Sequence, residues 1–540
     1  MTYDHPNNNA VIYKKPVLSN RVKCHYRKNF SPPFGAKFFP PDTNTMTQRE
    51  ISNEKMKKRC RSCCHVCLLL LGIALIGLGL AIFAYFEPLY DFMMTSAMTF
   101  TPKTEPFRVW RKNDPPLDMD IYLFNWTNPQ DLHVPGVKPR FQEVGPYRFK
   151  EVKEKINITW HDNNNTISYK HKKSYFFDAK NSVRQLNDVI NTINVVPLTI
   201  AYKARNFGFF SKRTISYSLS TLSSLYVTKT AGEILFDGYE ESILSILSTV
   251  PLAGVVDKFG LFYGKNNSMG TDGIFSMWTK VDENFGKIVT WNYKNESDFY
   301  EGKCNAVKGS AGEFYPINQK RDYIEFFSSE LCKFAKLEYE KDVNVKGVLG
   351  YKYTARHIFD NGTLRPENKC FCSGECHPSG VFNVSKCREN SPTFLSMPHF
   401  YGADPYYYNT IEGLKPEDKH EFYITLEPKS GIVLDIGARM QVNVLLQPIE
   451  HITMYADVPK LFIPLFYFDQ SLPATDELAS LLIKIQSLPE VSNIAVMILV
   501  TLGLASFVWV VVMYCWSKKR RHKTELKIPQ SNVEEIPLRC

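Results

Sequence analysis

The sequence predicts a membrane protein of the α+β class, with two transmembrane helices flanking one large β-rich ectodomain. Three observations carry this reading. Val66–Phe86 and Val491–Trp516 are apolar runs without a charged residue, each long enough for the about 20 helical residues that cross a bilayer core. The residues between them, 87–490, hold seven Asn-x-Ser/Thr sequons and six cysteines, which suits the oxidising, glycosylating side of a membrane. Within that segment apolar side chains recur at every second position, the period of a half-buried strand.

The regions follow in order. Residues 1–65 form a basic tail whose Asn run and Pro32-Pro33 and Pro40-Pro41 pairs read as disordered. Residues 66–86 are the first span, 87–490 the ectodomain, 491–516 the second span and 517–540 a short basic tail. The first tail carries 13 Lys/Arg against 4 Asp/Glu and the last carries 7 against 3. The formal net charge of +10 therefore belongs to the tails, and the rest is slightly acidic. Lys55, Lys57, Lys58, Arg59 and Arg61 precede the first span, and Lys518, Lys519, Arg520, Arg521 and Lys523 follow the second. By the positive-inside rule both termini are cytoplasmic. The first span then acts as an uncleaved signal anchor. Basic residues beside a span face anionic inner-leaflet lipid, so no nucleic acid is needed as a partner.

The sequons at Asn125, Asn157, Asn164, Asn266, Asn295, Asn361 and Asn383 are candidate glycosylation sites, and Asn29 in the tail is expected to stay unmodified. Cys60, Cys63, Cys64 and Cys67 at the first membrane edge and Cys515 at the second are palmitoylation candidates. A zinc cluster with His65 is the rival for the first group, but it lacks the separated pairs of a zinc fold. Cys540, at the last position, does not match a prenylation signal.

Residues 368–377 place Cys370, Cys372, Cys376 and His377 close together. With Cys304, Cys332 and Cys387 they make an even set on the oxidising side, which favours three disulfides over a metal site. Spacing alone does not choose the pairing. No catalytic motif, metal-ligand spacing or cofactor motif is found, so neither an enzyme nor a cofactor is expected. His357 and His399 read as structural, and Gly309–Gly312 as a turn.

Ile167–His171, Glu421–Glu427 and Met440–Gln447 alternate as strands, with Gln441 and Asn443 expected on the solvent face of the last. Thr221–Leu247, with Leu222, Leu225, Ile234, Leu235, Ile243 and Leu244, carries the best helical signal. Leu461–Phe468 reads first as a buried strand and second as the lining of a conduit or a membrane-facing segment.

Local motifs add a resemblance: Phe124-Asn-Trp-Thr-Asn-Pro129, Glu143-Val-Gly-Pro-Tyr147, Pro398-His-Phe400 with Asp404-Pro405, Gly413-Leu-Lys-Pro416 with His420, and Glu427-Pro-Lys-Ser-Gly431. In this order, between two spans, they resemble the class B scavenger receptor family. That family includes the fatty-acid translocase, the lysosomal integral membrane protein and the insect sensory neuron membrane proteins. The resemblance implies an antiparallel β-barrel ectodomain with a helical apex and an internal hydrophobic tunnel. It implies the disulfides Cys304–Cys370, Cys332–Cys387 and Cys372–Cys376. It also implies binding of lipids or hydrophobic ligands, including lipoprotein or other particles, at the apex, and conduction of lipid to the membrane. Dry conduits suit such cargo, because each methylene exposed to water costs about 0.8 kcal/mol.

At the apex this chain departs from its relatives, since Ser216–Leu225 has no Lys or Arg. The nearest cations, Lys203, Arg205, Lys212, Arg213 and Lys229, are the candidate ligand-binding residues, with a plain solvated face as the alternative. Rival functions are a docking, adhesion or lysosomal sorting receptor without lipid transport, and a two-span ligand-gated channel. The spans lack the charged ring of a selectivity filter. Gly77-x-x-x-Ala81 is a candidate contact for a homo-oligomer. The plasma membrane is the expected location, with an endosomal or lysosomal membrane as the alternative.

Overall fold

The computed structural model describes residues 43–113, 115–248, 257–372 and 374–525; the side chains of 43–51, 54, 55, 57–61 and 521–525 fall outside that description. Asn29, Cys24, Cys540 and both chain ends likewise lie outside the described residues.

The chain opens with α1 (Thr43–Ala97) and the short α2 (Glu105–Arg111). Three strands follow: β1 (Leu117–Trp126), β2 (Phe141–His161) and β3 (Thr166–Phe177). A cap comes next, made of β4 (Val189–Ile193), α3 (Val195–Ala204), α4 (Phe209–Leu222), β5 (Tyr226–Thr230), β6 (Tyr239–Glu240), α5 (Ser242–Ser248) and β7 (Lys258–Phe259). The chain returns with β8 (Ser268–Trp278), β9 (Ile288–Trp291), β10 (Tyr323–Ser328), β11 (Lys333–Val345) and β12 (Val348–Thr354). Then come β13 (Phe382–Asn383), β14 (Thr393–Ser396) and α6 (Pro405–Asn409). Finally β15 (Tyr423–Leu426), β16 (Val433–Leu446) and β17 (Leu461–Ser471) lead into α7 (Asp476–Glu525).

Thirteen of these strands form one antiparallel sheet, ordered β10-β11-β12-β15-β16-β17-β1-β2-β3-β8-β9, with β14 on β16 and β13 on β14. The two ends of the sheet meet through the Gly309–Ser310 turn. Ile288 N donates to Gly309 O (2.8 Å), Ser310 N to Glu325 O (2.9 Å) and Phe327 N to Ser310 O (2.7 Å). Gly309 sits at φ +92°, and a Cβ there would lie 2.8 Å from Phe326 N. Only glycine suits that conformation and that approach. The turn read from the sequence is thus the clasp of a nearly closed barrel, and closure protects strand edges.

Apolar side chains of β1, β2 and β17 pack with those of the cap, including Ile121, Leu123, Ile193, Leu198, Leu219 and Leu465. A second cluster joins β10–β12 and β15 to Cys304, Phe371 and Phe382. A third is aromatic, built on Phe100, Trp110, Tyr169, Phe275 and Phe285.

One expectation is extended and two are corrected. Both apolar runs are helical, but α1 and α7 extend past them because the backbone ladder continues into polar sequence. The turns nearest the barrel are tied to it: Lys429 Nζ pairs with Asp91 (2.7 Å), and Gln486 Nε2 donates to Leu349 O (2.9 Å) and Glu427 Oε1 (2.7 Å). Thr221–Leu247 is not one helix. α4 ends at Leu222, β5 pairs with β4 through Asn191 and Thr228, and Gly238 at φ +71° turns the chain before α5. Strand pairing and a left-handed glycine override the local helical pattern. Gln441 and Asn443 are fully buried rather than solvent-facing. β14 and the 398–400 turn cover them, and their polar atoms are used. Gln441 Oε1 accepts from His399 N (2.7 Å), Gln441 Nε2 donates to Asn443 Oδ1 (2.6 Å), and Asn443 Nδ2 donates to Ser396 Oγ (3.0 Å).

In the spans, Gly77 and Ala81 are exposed. The close helix approach is made instead at Gly72, where a Cβ would meet Ser506, and at Gly79, where one would lie 3.0 Å from Val500.

Candidate functional site

Helix α4 explains the missing lysines. Its Thr214, Ser218 and Thr221 hydroxyls donate to carbonyls one turn back. Ser216 accepts from Thr453 N (2.9 Å), and Leu219 is fully buried, so this helix is seated by its small and apolar face. The cations lie at its start. Lys203 lies in the last turn of α3 and Arg205 caps it, Lys212 and Arg213 occupy the first turns of α4, and only residues 205–208 separate the helices. None of the four has a carboxylate partner among the described residues. Arg205 lies 3.8 Å over the Tyr202 ring and donates to Tyr202 O, and Arg213 lies 5.6 Å over Phe209. Lys229 does not join this corner: it stands on β5 over Tyr239.

The same corner bears Phe207, Phe209, Phe210 and Tyr217, exposed by 53, 50, 83 and 76%. A cluster of exposed aromatics marks a surface that meets apolar or amphipathic material. The reading of the sequence found the cations and missed the rings, although Phe207-Gly-Phe-Phe210 sits between the two cation pairs.

Beneath the cap lies an apolar cavity of about 10 Å³, lined by residues that include Leu123, Ile190, Ile193, Val195, Ile234 and Leu465. That is room for about one water-sized probe, so this cavity is not an open tunnel. Leu461–Phe468 is the buried strand of its first reading, and its Leu465 lines this small cavity.

The barrel interior is not apolar throughout. Along β3, Tyr175 belongs to the cap-side core and Tyr169 to the aromatic cluster, with Lys173 and His171 between them. Lys173 pairs with Asp272 (2.7 Å) and Glu330 (3.0 Å), and Lys155 with Glu313 (2.5 Å). Burial pushes the Glu330 carboxyl up, but Lys173 outweighs it and holds the group well below its ordinary value. Burial drives His171 down to about 4.

Four of the resembling motifs converge on another cluster. His399 Nε2 lies 2.5 Å from Glu143 Oε2, which also accepts from Tyr467 OH (2.9 Å). Lys415 N donates to His399 Nδ1 (3.1 Å), so the ring proton sits on Nε2 and points at Glu143. His420 stacks on His399 with centroids 4.7 Å apart. Burial opposes the Glu143 charge, but the His399 and Tyr467 bonds hold its carboxyl below the ordinary value. Burial, with His399 alongside, takes His420 down to about 4. Glu143, His399 and Tyr467 spend their hydrogen bonds on one another, which is a structural use, whereas His420 Nδ1 accepts from Glu417 N (3.2 Å) and its buried Nε2 has no hydrogen-bond partner among the described residues.

The cysteines of 370–376 are in disulfides: Cys304–Cys370, Cys332–Cys387 and Cys372–Cys376, with Cα–Cα separations of 5.7, 6.5 and 5.4 Å. These are the pairs the resemblance implies. His377 packs against the Phe394 and Phe462 rings at 5.3 and 5.0 Å. Cys63, Cys64, Cys67 and Cys515 are free and exposed, while the Cys60 side chain lies outside the described ones. Asn157, Asn164, Asn266 and Asn295 are exposed, and Asn125 and Asn383 partly so. Asn361 is the exception, because it is 8% exposed and its Nδ2 donates to His377 O (2.9 Å).

One antiparallel barrel, a helical cap and two long apolar helices at its ends define a two-span membrane protein. The sequence profile described as the CD36 family matches residues 68–514. Protein peste of Drosophila melanogaster is 37% identical over 84% of this chain and 83% of its own length. Scavenger receptor class B member 1 of Rattus norvegicus is 31% identical, over 80% of this chain and 86% of its own. Lysosome membrane protein 2 of Homo sapiens is 32% identical, over 73 and 83%. The chain belongs to the CD36 family of class B scavenger receptors.

Proposed function

We propose that this chain is a cell-surface receptor that takes lipid, or particles carrying it, at the α3–α4 corner and passes lipid through the barrel to the membrane. The observation that carries the reading is the corner itself: four cations without a carboxylate partner among the described residues and four exposed aromatic rings, in a cap whose Val195 lines an apolar cavity. Anionic amphiphiles match that pairing of charge and ring. Conduction requires the cavity to widen by movement of the apolar side chains that close it, and it needs no catalytic residue or cofactor. In this reading both tails are cytoplasmic, the plasma membrane is the site of action, and every sequon between the two spans except Asn361 carries glycan. Cys63, Cys64, Cys67 and Cys515 are acylated, and the exposed Gly77 and Ala81 face offers a contact for self-association.

The closed cavity favours one alternative, a docking or sorting receptor that binds at the corner without transport. Mass spectrometry of lipid co-purifying with the detergent-solubilised chain separates the two. Transport predicts bound lipid that is lost in Val195→Trp, which fills the cavity. Lipid-free protein that still binds anionic vesicles supports docking.

A further inference from the structure

We propose that the ectodomain carries a second, separate ligand site: a basic pocket beside the Cys304–Cys370 disulfide that binds a small carboxylate or phosphate group, with Lys333 as its innermost charge partner. The pocket measures about 270 Å³, just below the ~300–1,000 Å³ of drug-sized ligand sites. Lys303, Lys308, Lys333, Lys336 and Arg365 line it against only two carboxylates, Glu338 and Glu367. Arg365 is neutralised by a two-bond pair with Glu338 (2.5 and 2.9 Å), and Lys308 by Glu325 (2.7 Å). Lys303, Lys333 and Lys336 have no ion pair among the described residues.

Lys333 distinguishes this pocket from an ordinary basic surface. It is 4% exposed; its Nζ donates to Ile358 O (2.8 Å) and stands over the Phe371 and Phe382 rings at 4.0 and 3.8 Å. A buried ammonium without a carboxylate is unfavourable. Burial lowers this amine to about 7, and Asp360 offsets only part of the effect. An anion in the pocket supplies the missing charge. The His357 Nδ1 is also buried, belongs to a residue lining the pocket, and has no hydrogen-bond partner among the described residues. Phe334 and Phe371 add an apolar wall, so an acid with a short apolar tail matches both sides. Disulfides hold the frame: Cys304 lines the pocket, and Lys333 directly follows Cys332. Such preorganisation reduces the ordering cost of binding. The site uses neither the α3–α4 corner nor the apolar cavity, so it stands independently of lipid conduction.

Calorimetric titration of the full chain in detergent, at about pH 6, with sodium hexanoate, inorganic phosphate and lysophosphatidate tests the proposal. Saturable binding of at least one probe is expected, weakened about tenfold or more in Lys333→Met and largely kept in Lys333→Arg, as loss of one buried charge partner implies. Hexanoate or phosphate binding identifies a free acid as ligand, and lysophosphatidate binding alone identifies a lipid headgroup. If Lys333→Met does not fold, the double variant Lys303→Gln, Lys336→Gln changes only exposed side chains and is expected to bind severalfold more weakly. No binding of any probe to the unaltered chain overturns the proposal. So does unchanged affinity in folded Lys333→Met or, where that variant is unusable, in the double variant.

Discussion

At the cap, α4 rests on the barrel through Leu219 and the Ser216–Thr453 bonds, while Phe210 and Tyr217 stand in solvent. On the flank, residues 304–387 are tied by three disulfides, and the one conspicuous amine, Lys333, is buried. The cap is held by packing, which can rearrange locally at modest cost. The flank is held covalently and cannot. The proposed lipid passage, which must widen, would therefore lie under the cap, and the proposed pocket of fixed shape on the flank.

The largest expected effect is on the flank. Replacing Cys304 and Cys370 by Ser is expected to lower stability by about 4 kcal/mol, as closure of a loop of that length implies. Urea unfolding followed by tryptophan fluorescence measures it, and a loss no greater than that from a cap variant breaks the contrast. Leu219→Ala is expected to cost about 3 kcal/mol and to loosen the cap selectively. Hydrogen exchange of α3 and α4 reads this, and uniform deprotection of the barrel would contradict it.

Acid probes the seam between the regions, where Lys173 of β3 reaches Glu330, close to Cys332 in the chain. His171 and His420 are held near 4 in the fold, against about 6.5 when unfolded. Their folded state favours the neutral ring, so that stability is complete above about pH 6.5 and is lost as pH falls toward 4. The urea midpoint should drop between pH 7.5 and pH 4.5, each ring giving up on the order of 2 kcal/mol of stability. An unchanged midpoint would remove this reading. Gln441→Leu, which orphans His399 N and the Asn443 amide, is expected to cost about 2 kcal/mol in the same assay. Smallest of all, Phe210→Ser should change stability by less than about 0.5 kcal/mol while reducing binding to anionic lipid vesicles. Full binding in that variant would take the aromatic corner out of the proposed function.

Much of this was legible in the chain. Val66–Phe86 and Val491–Trp516 announced helices because length and the absence of charge are local properties. β3, β15 and β16 showed their period of two for the same reason. The cations of the α3–α4 corner were visible as residues, but their grouping was not, and Lys229 fell elsewhere because β5 pairs away with β4. The Lys333 pocket left no local signal: its wall joins β11 to residues 303–308 and 354–371, and no spacing along the chain announces that meeting.

Alone, the sequence determined the two spans, the sulfur inventory of the ectodomain and its strand-forming character. Each depends on side chains within a few positions of one another. Tertiary structure decided that Gln441 and Asn443 are interior, that Gly309–Ser310 closes the barrel, that Thr221–Leu247 breaks, and that only a small apolar cavity lies under the cap. The reason is common to all four. Burial, closure and strand exchange are set by partners tens to hundreds of residues away, and a strand's own pattern does not record what will cover its polar face.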